Sequence, residues 1–340
     1  MAGAAEAARH PARLKDTPPM QRRDFLGALA ALPAVPALAQ GAWPNRPVRT
    51  VVPYPPGGPN DIIARLYAPA LGAALGQSVL VENRAGGSGV IGADYVLKSP
   101  PDGYTLGTID GGSLVIAPHT QPSMPYRVPE DVTLLSVVAT VPEALVATPG
   151  LGVKTLPELL ELAKRRPGTL NIATAGAAGI SHLTAHLFRQ QTGAQVEVVP
   201  YRGAAPAVTD LVAGQVQLLF ADLPVILPHI KAGALVPLAL AARQRSPSLP
   251  ELRTTVEYGF PKLLAENWYC TVAPRGLPAA VTQRVTEALK AASETASVRD
   301  GLAAQGAEAT WTSQADFAAL LREQSETWRQ VVAASGVKSE

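Results

Sequence analysis

Short β-branched runs alternate with helical patterns along the chain from Pro47, and glycine-bearing turns connect strand to helix. The first series reads VRTVV at Val48–Val52, a glycine-rich loop, and a helical pattern from Asp61 to Leu75. SVLVEN, a second helical pattern through Val90 and Leu97, and YTLGTID complete the series. Strands that alternate with helices predict a parallel sheet with helices on both faces.

The same alternation starts again at Ala144, with the strand-like runs ALVATP, LNIATAG, AQVEVVPYRG, QVQLLFADLP and LVPLALAA. These runs are short and apolar, as expected of strands buried on both faces. NWYCTVAPRGLP then predicts a return strand, and a helical tail follows. We therefore predict two α/β lobes joined by two crossings, with residues 40–141 and 260–340 in one lobe and residues 142–259 in the other. The cleft between them is the expected site.

Residues 1–39 have the pattern of an export leader. An apolar run, Phe25–Ala39, follows two arginines, ends in small residues and is too short to span a membrane. RRDFL resembles the twin-arginine pattern, and the general secretory route stays open as an alternative. Met20 directly precedes this leader, so it is an alternative start to Met1.

The charge of the chain is balanced once the leader is set aside. The leader carries five of the 29 Lys and Arg residues and three of the 27 Asp and Glu residues, so equal numbers of each sign remain. This balance predicts no nucleic-acid partner. The single cysteine, Cys270, allows no intramolecular disulfide and no thiolate metal cluster. Within NWYCTVAP we expect it to be a small buried group.

The loop YPPGGPND, residues 54–61, combines rigid and free backbone at the start of a helix. Gly57 and Gly58 let the main chain approach a ligand and expose N–H groups, while the prolines hold the turn. Asn60 or Asp61 can cap the helix, whose N-terminal dipole favours an anion. Such donors can hold one carboxylate at about micromolar affinity without a fixed cation. A turn that only starts the helix is the alternative.

Ligands of open α/β sheets bind beyond the carboxyl ends of the strands, so the candidate residues lie in the loops found there. The loops of the first lobe contain Tyr54, Pro56, Gly57, Gly58, Asn60, Asp61, Gly87, Ser88, Asp110, Gly111 and Ser113. Those of the second lobe contain Thr174, Ala175, Gly176, Ser181, His182, Tyr201, Arg202 and Asp222.

Alternatives stay open for three of these residues. Ser181 caps its helix, with or without facing the ligand. Arg202 meets a second ligand carboxylate or forms a surface ion pair. Asp222 contacts a ligand amine or caps a helix.

GSGVIG, Gly87–Gly92, satisfies the dinucleotide pattern G-x-G-x-x-G, and Asp110 follows where a ribose-binding acid would lie. An exported NAD(P)-dependent oxidoreductase is therefore the alternative function. Two features oppose it: the preceding strand ends too far from Gly87 for the tight turn, and the motif follows the second strand of its unit.

The sequence otherwise indicates a binding protein. Ser181 and His182 are adjacent, so their side chains diverge on a helix and cannot pair as nucleophile and base. His182 and His186 have i, i+4 spacing, but Leu183 stands where zinc proteases carry a glutamate. We expect no enzyme activity, no metal and no cofactor.

Six motifs in order make the chain similar to a known family: YPPGGPND, VENRAGGSGVIGADYV, SPPDGYTLG, SHLTAHLF, VPYRGAAPAVTDLVAGQVQLLF and WYCTVAPRGLP. Over Trp43–Val337 the chain resembles the Bug family of extracytoplasmic solute receptors, the binding components of tripartite tricarboxylate transporters. The resemblance implies a two-lobed periplasmic-binding-protein fold of the Venus-flytrap, type II-like kind, in which each lobe is a mainly parallel sheet flanked by helices.

The resemblance also implies how a ligand is held. Backbone groups and bridging waters of the lobe with Tyr54–Asp61 grip a ligand carboxylate, and the lobe with Thr174–His182, Tyr201–Gly203 and Asp222 closes over the rest. Ala175 stands where members often carry proline, and the acid of FADLP is offset, so the ligand's identity is not implied.

Together these inferences predict an exported, non-enzymatic, monomeric receptor in the periplasm. Its ligand is a small organic carboxylate: a dicarboxylate, an amino acid or an aromatic acid. Its expected partners are membrane transporter subunits or a sensing protein.

Overall fold

The computed structural model describes residues 43–335 and residue 337; the predicted leader, residues 1–39, lies outside them. The strands of this part are β1 (Val48–Val52), β2 (Val79–Asn83), β3 (Thr105–Asp110), β4 (Val132–Ala147), β5 (Leu170–Ala175), β6 (Val196–Tyr201), β7 (Leu218–Asp222), β8 (Val236–Leu240), β9 (Glu266–Pro274) and β10 (Glu308–Ala309).

The helices of the same part are α1 (Pro59–Leu75), α2 (Val90–Leu97), α3 (Gly112–Val115), α4 (Ala117–Thr120), α5 (Leu156–Arg165), α6 (Ile180–Thr192), α7 (Ala204–Val212), α8 (Leu223–Lys231), α9 (Ala279–Ser293), α10 (Ala296–Ala304) and α11 (Gln314–Ser335). None of them has the length and apolarity needed to cross a membrane.

Two sets of parallel strands form the lobes. In the first lobe β1 lies between β2 and β3 and is parallel to both, with Val51 opposite Glu82 and Gly107. In the second lobe β5 is parallel to β6 and β7, with Ile172 opposite Val198 and Leu218. Helices connect these strands, as βαβ units require. The predicted two-lobed α/β fold is confirmed.

Antiparallel strands join the lobes; the sequence predicted the return strand β9 but neither the full length of β4 nor the pairing of the two. β4 pairs with β9 from Val132 to Pro142 and then with β7 from Glu143 to Ala147. We expected a strand to begin at Ala144, but the strand begins at Val132. The difference has a physical reason: a run buried on both faces shows no period that marks where it leaves one lobe for the next.

The chain passes between the lobes at Glu143 and again near Ala265. The Glu143 N–H donates to the Ala265 carbonyl at 2.9 Å, and the Glu143 carbonyl accepts from the Ala241 N–H at 2.8 Å. The Ala265 N–H donates in turn to the Ala241 carbonyl at 2.8 Å. Main-chain bonds thus tie three segments together at one point. The residue boundaries expected for the lobes, 141 and 259, stay predictions.

The last helix, α11, covers the first lobe. Its start carries a side-chain cap: the Asp316 N–H donates to the Ser313 hydroxyl at 3.1 Å, and that hydroxyl donates to the Asp316 carboxylate at 2.6 Å. Phe317 is fully buried and meets Trp268 edge to face, with ring centroids 5.6 Å apart. The apolar stripe of α11 thereby packs on β9.

Cys270 is a buried free thiol on β9, as predicted. Burial and the nearby charge of Asp110 raise the pKa of this thiol well above its ordinary value. It therefore stays protonated and acts as a packing group.

Candidate ligand-binding site

A cavity lies between the lobes, where strand ends meet helix N-termini. Its volume, measured for the centre of a water-sized sphere, is about 50 Å³. The lining residues are Tyr54, Pro55, Gly58, Pro59, Asn60, Asp110, Glu143, Ala175, Gly179, Ile180, Ser181, Gly203, Ala204, Ala205, Pro206, Ala221, Asp222, Asn267 and Tyr269. No lysine, arginine or histidine is among these lining residues.

The loop before α1 is held by the carboxylate of Asp61. Gly57, with a φ of 82°, donates its N–H to Asp61 Oδ2 at 3.0 Å. Asn83 Nδ2 donates to Oδ1 at 3.0 Å, and Arg65 pairs with the same carboxylate at 2.9 Å. Burial acts to raise the pKa of Asp61, but these hydrogen bonds and the Arg65 charge outweigh it and lower the pKa. Asp61 is thus a support that consumes the N–H of Gly57.

The N-terminus of α1 points into the cavity. Gly58 is its N-cap residue and Pro59 begins the helix, so the expectation that Asn60 or Asp61 caps it is wrong. The N–H groups of Gly58 and Asn60 have no hydrogen-bond acceptor among the described residues. The Asn60 side chain instead donates to the Thr108 carbonyl at 3.4 Å. The first turn therefore offers main-chain donors with partial positive charge.

Two helices of the second lobe also begin at the cavity. α6 places Ile180 and Ser181 there, and α7, which begins after Gly203, places Ala204 and Ala205 there. Their N–H groups likewise find no acceptor in the described part of the chain. Gly203 has a φ of 133°, a backbone conformation that strongly favours glycine. Three helix N-termini, those of α1, α6 and α7, thus converge on one space.

The Ser181 side chain supports the loop before α6. Its hydroxyl accepts the Ala175 N–H at 2.7 Å, and the residue is 2% exposed. Gly179 is the N-cap residue of α6, so the expectation that Ser181 caps the helix is wrong. The hydroxyl oxygen accepts from the loop, so the Ser181 N–H and the hydroxyl proton are the donors that remain for a ligand.

Two carboxyl groups, Glu143 and Asp222, lie directly opposite each other on β4 and β7 at the floor of the cavity. Burial and the charge of Asp222 raise the pKa of Glu143 well above its usual range. Burial also raises the pKa of Asp222, to about 7, against the hydrogen bonds from Tyr269 and Asn267. Asp222 is the N-cap residue of α8, as the capping alternative expected, but its side chain forms no cap hydrogen bond there.

Asp110 and Tyr54 form a hydrogen-bonded corner beside this floor. The Ser113 hydroxyl donates to Asp110 Oδ1 at 2.8 Å, and the Tyr54 hydroxyl donates to the Ser88 carbonyl at 3.0 Å. Burial raises the pKa of Asp110, and burial with the Asp110 charge raises that of Tyr54. These polar groups are therefore satisfied within the protein.

The structure brings part of the predicted set to the cavity: Tyr54, Gly58, Asn60, Asp110, Ala175, Ser181 and Asp222. The rest do not line it: Pro56, Gly57, Asp61, Gly87, Ser88, Gly111, Ser113, Thr174, Gly176, His182, Tyr201 and Arg202. Their ligand contacts stay predictions.

Tyr201, Arg202 and His182 were predicted to bind the ligand but lie outside the cavity lining, and the structure shows the surroundings of their side chains. The Tyr201 hydroxyl donates to Asp210 at 2.8 Å, and Arg202 is exposed. His182 lies 3.3 Å from the Thr174 hydroxyl and 3.1 Å from a ring nitrogen of His186. Burial and the His186 charge lower the pKa of His182 to about 4, so this ring is neutral at physiological pH.

Sequence reasoning missed Glu143, Asn267 and Tyr269. The available signal for Glu143 was a lone acid within the apolar run VPEALVA, because a buried strand seldom carries an unpaired acid. Asn267 and Tyr269 are two residues apart, so their side chains lie on the same face of β9. Only the pairing of β9 with β4 directs that face to the cavity.

The Gly87–Gly92 segment has a packing role. The Ser88 hydroxyl donates to the Ala177 carbonyl at 3.0 Å and so links the two lobes. At Gly92 a Cβ atom would lie 2.6 Å from the Cα of Pro53, so glycine permits α2 to pack there. The proposed ribose-binding acid, Asp110, is bonded to Ser113.

An α/β chain with two lobes, crossing strands between them and a cavity at their junction has the architecture of a periplasmic solute-binding protein. The chain belongs to a family of such receptors: the model described as "Tripartite tricarboxylate transporter family receptor" matches residues 63–337. Protein BugT of Bordetella pertussis is 36% identical over 297 residues, covering 87% of this chain and 91% of that protein. The predicted Bug-family membership is confirmed.

Solved structures agree with this assignment. R. palustris Rpa4515 with adipate is 34% identical, with a TM-score of 0.84, and the match covers 87% of this chain and 99% of that one. MatC from Rhodopseudomonas palustris with bound malate is 30% identical, with a TM-score of 0.80, over 85% of this chain and 100% of that one. Periplasmic binding protein BugD is 29% identical, with a TM-score of 0.83. The family is one of periplasmic solute receptors, and the oxidoreductase alternative is not supported.

Proposed function

We propose that the chain is a non-enzymatic periplasmic receptor, exported through its leader, that captures a small organic carboxylate in the cavity between its lobes. It acts as a monomer and presents the ligand to the membrane subunits of a tripartite tricarboxylate transporter or to a sensing protein. The lobe of residues 142–259 closes on the lobe of residues 40–141 and 260–340. One observation carries the proposal: three helix N-termini converge on a cavity whose lining contains no cation.

The energetics support a carboxylate at this point. A hydrogen bond to a charged group contributes roughly 1.5 to 3 kcal/mol, and a helix N-terminus adds about 0.3 to 1 kcal/mol for a nearby anion. A few such contacts exceed the association cost of at least ~4 kcal/mol. Micromolar binding, about −8 kcal/mol, is then within reach without a lysine or arginine.

The comparisons support the same ligand class. Two of the solved structures, with TM-scores of 0.80 or more, contain the carboxylates adipate and malate. The cavity of this chain offers main-chain donors for a carboxylate at Gly58, Asn60, Ile180, Ser181, Ala204 and Ala205.

A thermal-shift screen of dicarboxylates, amino acids and aromatic acids, followed by titration calorimetry, tests the proposal. A bound ligand raises the melting temperature by mass action. Gly58→Val should abolish binding because the valine fills the approach to the α1 N-terminus. Gly58 has an ordinary φ of −79°, and a Cβ there lies 3.5 Å from its nearest neighbour, the Pro55 carbonyl, so the variant should fold.

Gly150→Val is the matched control. Gly150 is exposed, lies outside the cavity lining, and a Cβ atom there meets nothing within 4 Å. The affinity of the Gly150→Val variant for the ligand should equal that of the unmodified protein. Equal binding by Gly58→Val would contradict the role of the α1 N-terminus, and a screen without any bound carboxylate would overturn the proposed function.

A further inference from the structure

The lining of the cavity combines groups of opposite electrostatic character. The N-termini of α1, α6 and α7 favour an anion. Glu143, Asp222 and Asp110 are acidic, and no lining residue supplies a positive side chain. A ligand that matches both kinds of group carries a negative and a positive charge.

Glu143 and Asp222 hold unused acceptors at the floor of the cavity. They are cross-strand partners, 1% and 6% exposed. Asp222 Oδ2 accepts from Asn267 Nδ2 at 3.1 Å and from the Tyr269 hydroxyl. Asp222 Oδ1 and Glu143 Oε2 have no hydrogen-bond partner in the described part of the chain. Buried polar atoms are almost always paired, so two unpaired carboxyl oxygens lining one cavity indicate that a ligand completes them.

Like charges at opposite positions on neighbouring strands destabilise a sheet, and burial increases the cost. An ammonium group removes this cost because it supplies one positive charge and three donors to acceptors that have none. A metal ion is a poorer match, since no three His, Cys, Asp or Glu side chains of the described residues are arranged to hold one.

We propose that Glu143 and Asp222 form a subsite for a protonated amine, and that the ligand is an amino-carboxylate whose carboxylate lies at the N-termini of α1, α6 and α7. This inference rests on the proposed function and narrows its ligand class. Glu143 also lies where the chain crosses between the lobes, with its main chain bonded to Ala241 and Ala265, so the amine is held at the crossing itself.

Matched ligand pairs test the subsite. Titration calorimetry at pH 7.5 compares adipate with 6-aminohexanoate and malate with aspartate, and extends to straight-chain dicarboxylates and ω-amino acids of three to eight carbons. The amino member of at least one pair should bind at least tenfold more tightly. A receptor for two carboxylates, in which protonated Glu143 and Asp222 donate to the second one, gives the opposite order.

Two isosteric variants assign that preference to the pair. Glu143→Gln and Asp222→Asn keep the shape of each side chain and remove its charge, so each should reduce the preference for the amine at least tenfold. Glu161→Gln is the control, since Glu161 pairs only with Lys164 on the exposed face of α5. The Glu161→Gln variant should prefer the amino member of each ligand pair as strongly as the unmodified protein does.

Proton release gives a readout that needs no variant. An ammonium ligand favours the ionised pair, so its binding should release protons, seen as different calorimetric heats in phosphate and Tris buffers. The groups that face the pair are Thr184, Asn267, Tyr269 and Asp110. Thr184 and Asn267 do not titrate, and burial raises the pKa of Tyr269 well above its ordinary value and also raises that of Asp110. Neighbouring His182 is already neutral there.

The outcomes separate the two proposals. An amine preference that depends on Glu143 or Asp222, with proton release, supports the subsite. Binding of dicarboxylates as tightly as their amino partners throughout the series overturns the subsite and leaves the carboxylate receptor standing. Binding of neither series overturns both.

Discussion

A buried carboxyl group without a counter-charge costs free energy when it ionises, and Asp222 is such a group. Its pKa is about 7 in the folded protein and near the ordinary value of 3.8 in the unfolded chain. Between these values the folded state binds more protons, so the free energy of unfolding falls as pH rises from about 4 to about 7. The stability that protonated Asp222 contributes is fully present below pH 4 and lost above pH 7.

Asp222→Asn should remove this dependence. Near pH 4 the variant should be as stable as the unmodified protein. At pH 8 its free energy of unfolding should be higher by roughly a few kcal/mol. It also removes the charge that raises the pKa of Glu143. Urea unfolding at pH 4, 6 and 8 measures the difference.

Asp300→Asn, on the exposed face of α10, is the control and should show no such trend. A stability difference for Asp222→Asn that does not change with pH would contradict the assignment.

At the scale of single elements, the α1 N-terminus depends on Asp61, which lies in its first turn. Asp61→Ala removes the acceptor of the Gly57 N–H and one of the two acceptors of Asn83 Nδ2, which also donates to the Tyr54 carbonyl at 3.1 Å. We expect a loss of about 1 to 3 kcal/mol in the free energy of unfolding at pH 7, together with weaker ligand binding. Because the pKa of Asp61 is lowered on folding, the loss should shrink as pH falls below about 4.

Urea unfolding and calorimetry at pH 7 and pH 3 measure both effects. Glu161→Ala, in an exposed pair, should leave the stability nearly unchanged. Unchanged stability of Asp61→Ala at pH 7 would show that the loop holds its shape without this carboxylate.

For the whole molecule, we expect ligand binding to depend on contact between the lobes. The Ser88 hydroxyl bonds to the Ala177 carbonyl of the other lobe, and Leu183 of α6 shares a buried cluster with Phe317 of α11. Ser88→Gly removes the hydroxyl. Because Ser88 has a φ of 51°, a conformation that favours glycine, the substitution also removes backbone strain.

Ser88→Gly should accelerate ligand dissociation roughly 3- to 10-fold, the worth of one neutral hydrogen bond. Stopped-flow displacement measures the rate, with the association rate and the unfolding of the free protein expected to change little. An unaltered dissociation rate would mean that this bond does not hold the lobes together.

The sequence predicted much of the fold because strand and helix periods and glycine turns are local. The paired βαβ units and the α1 helix, expected from Asp61 and observed from Pro59, follow from spacing. It predicted the donor end of the site for the same reason, since a helix N-terminus after a glycine turn is encoded within a few residues.

Only the tertiary structure decided which strands become neighbours, and with that the acidic floor of the cavity. Glu143 and Asp222 lie far apart in the chain, and β4 and β7 place them opposite each other. Asn267 and Tyr269 arrive from β9, which pairs with β4 on its other side. Strand pairing joins residues that are distant in the chain, so no local period of the sequence encodes it. The turns that start α1, α6 and α7 are different, because the few residues that form each turn determine it.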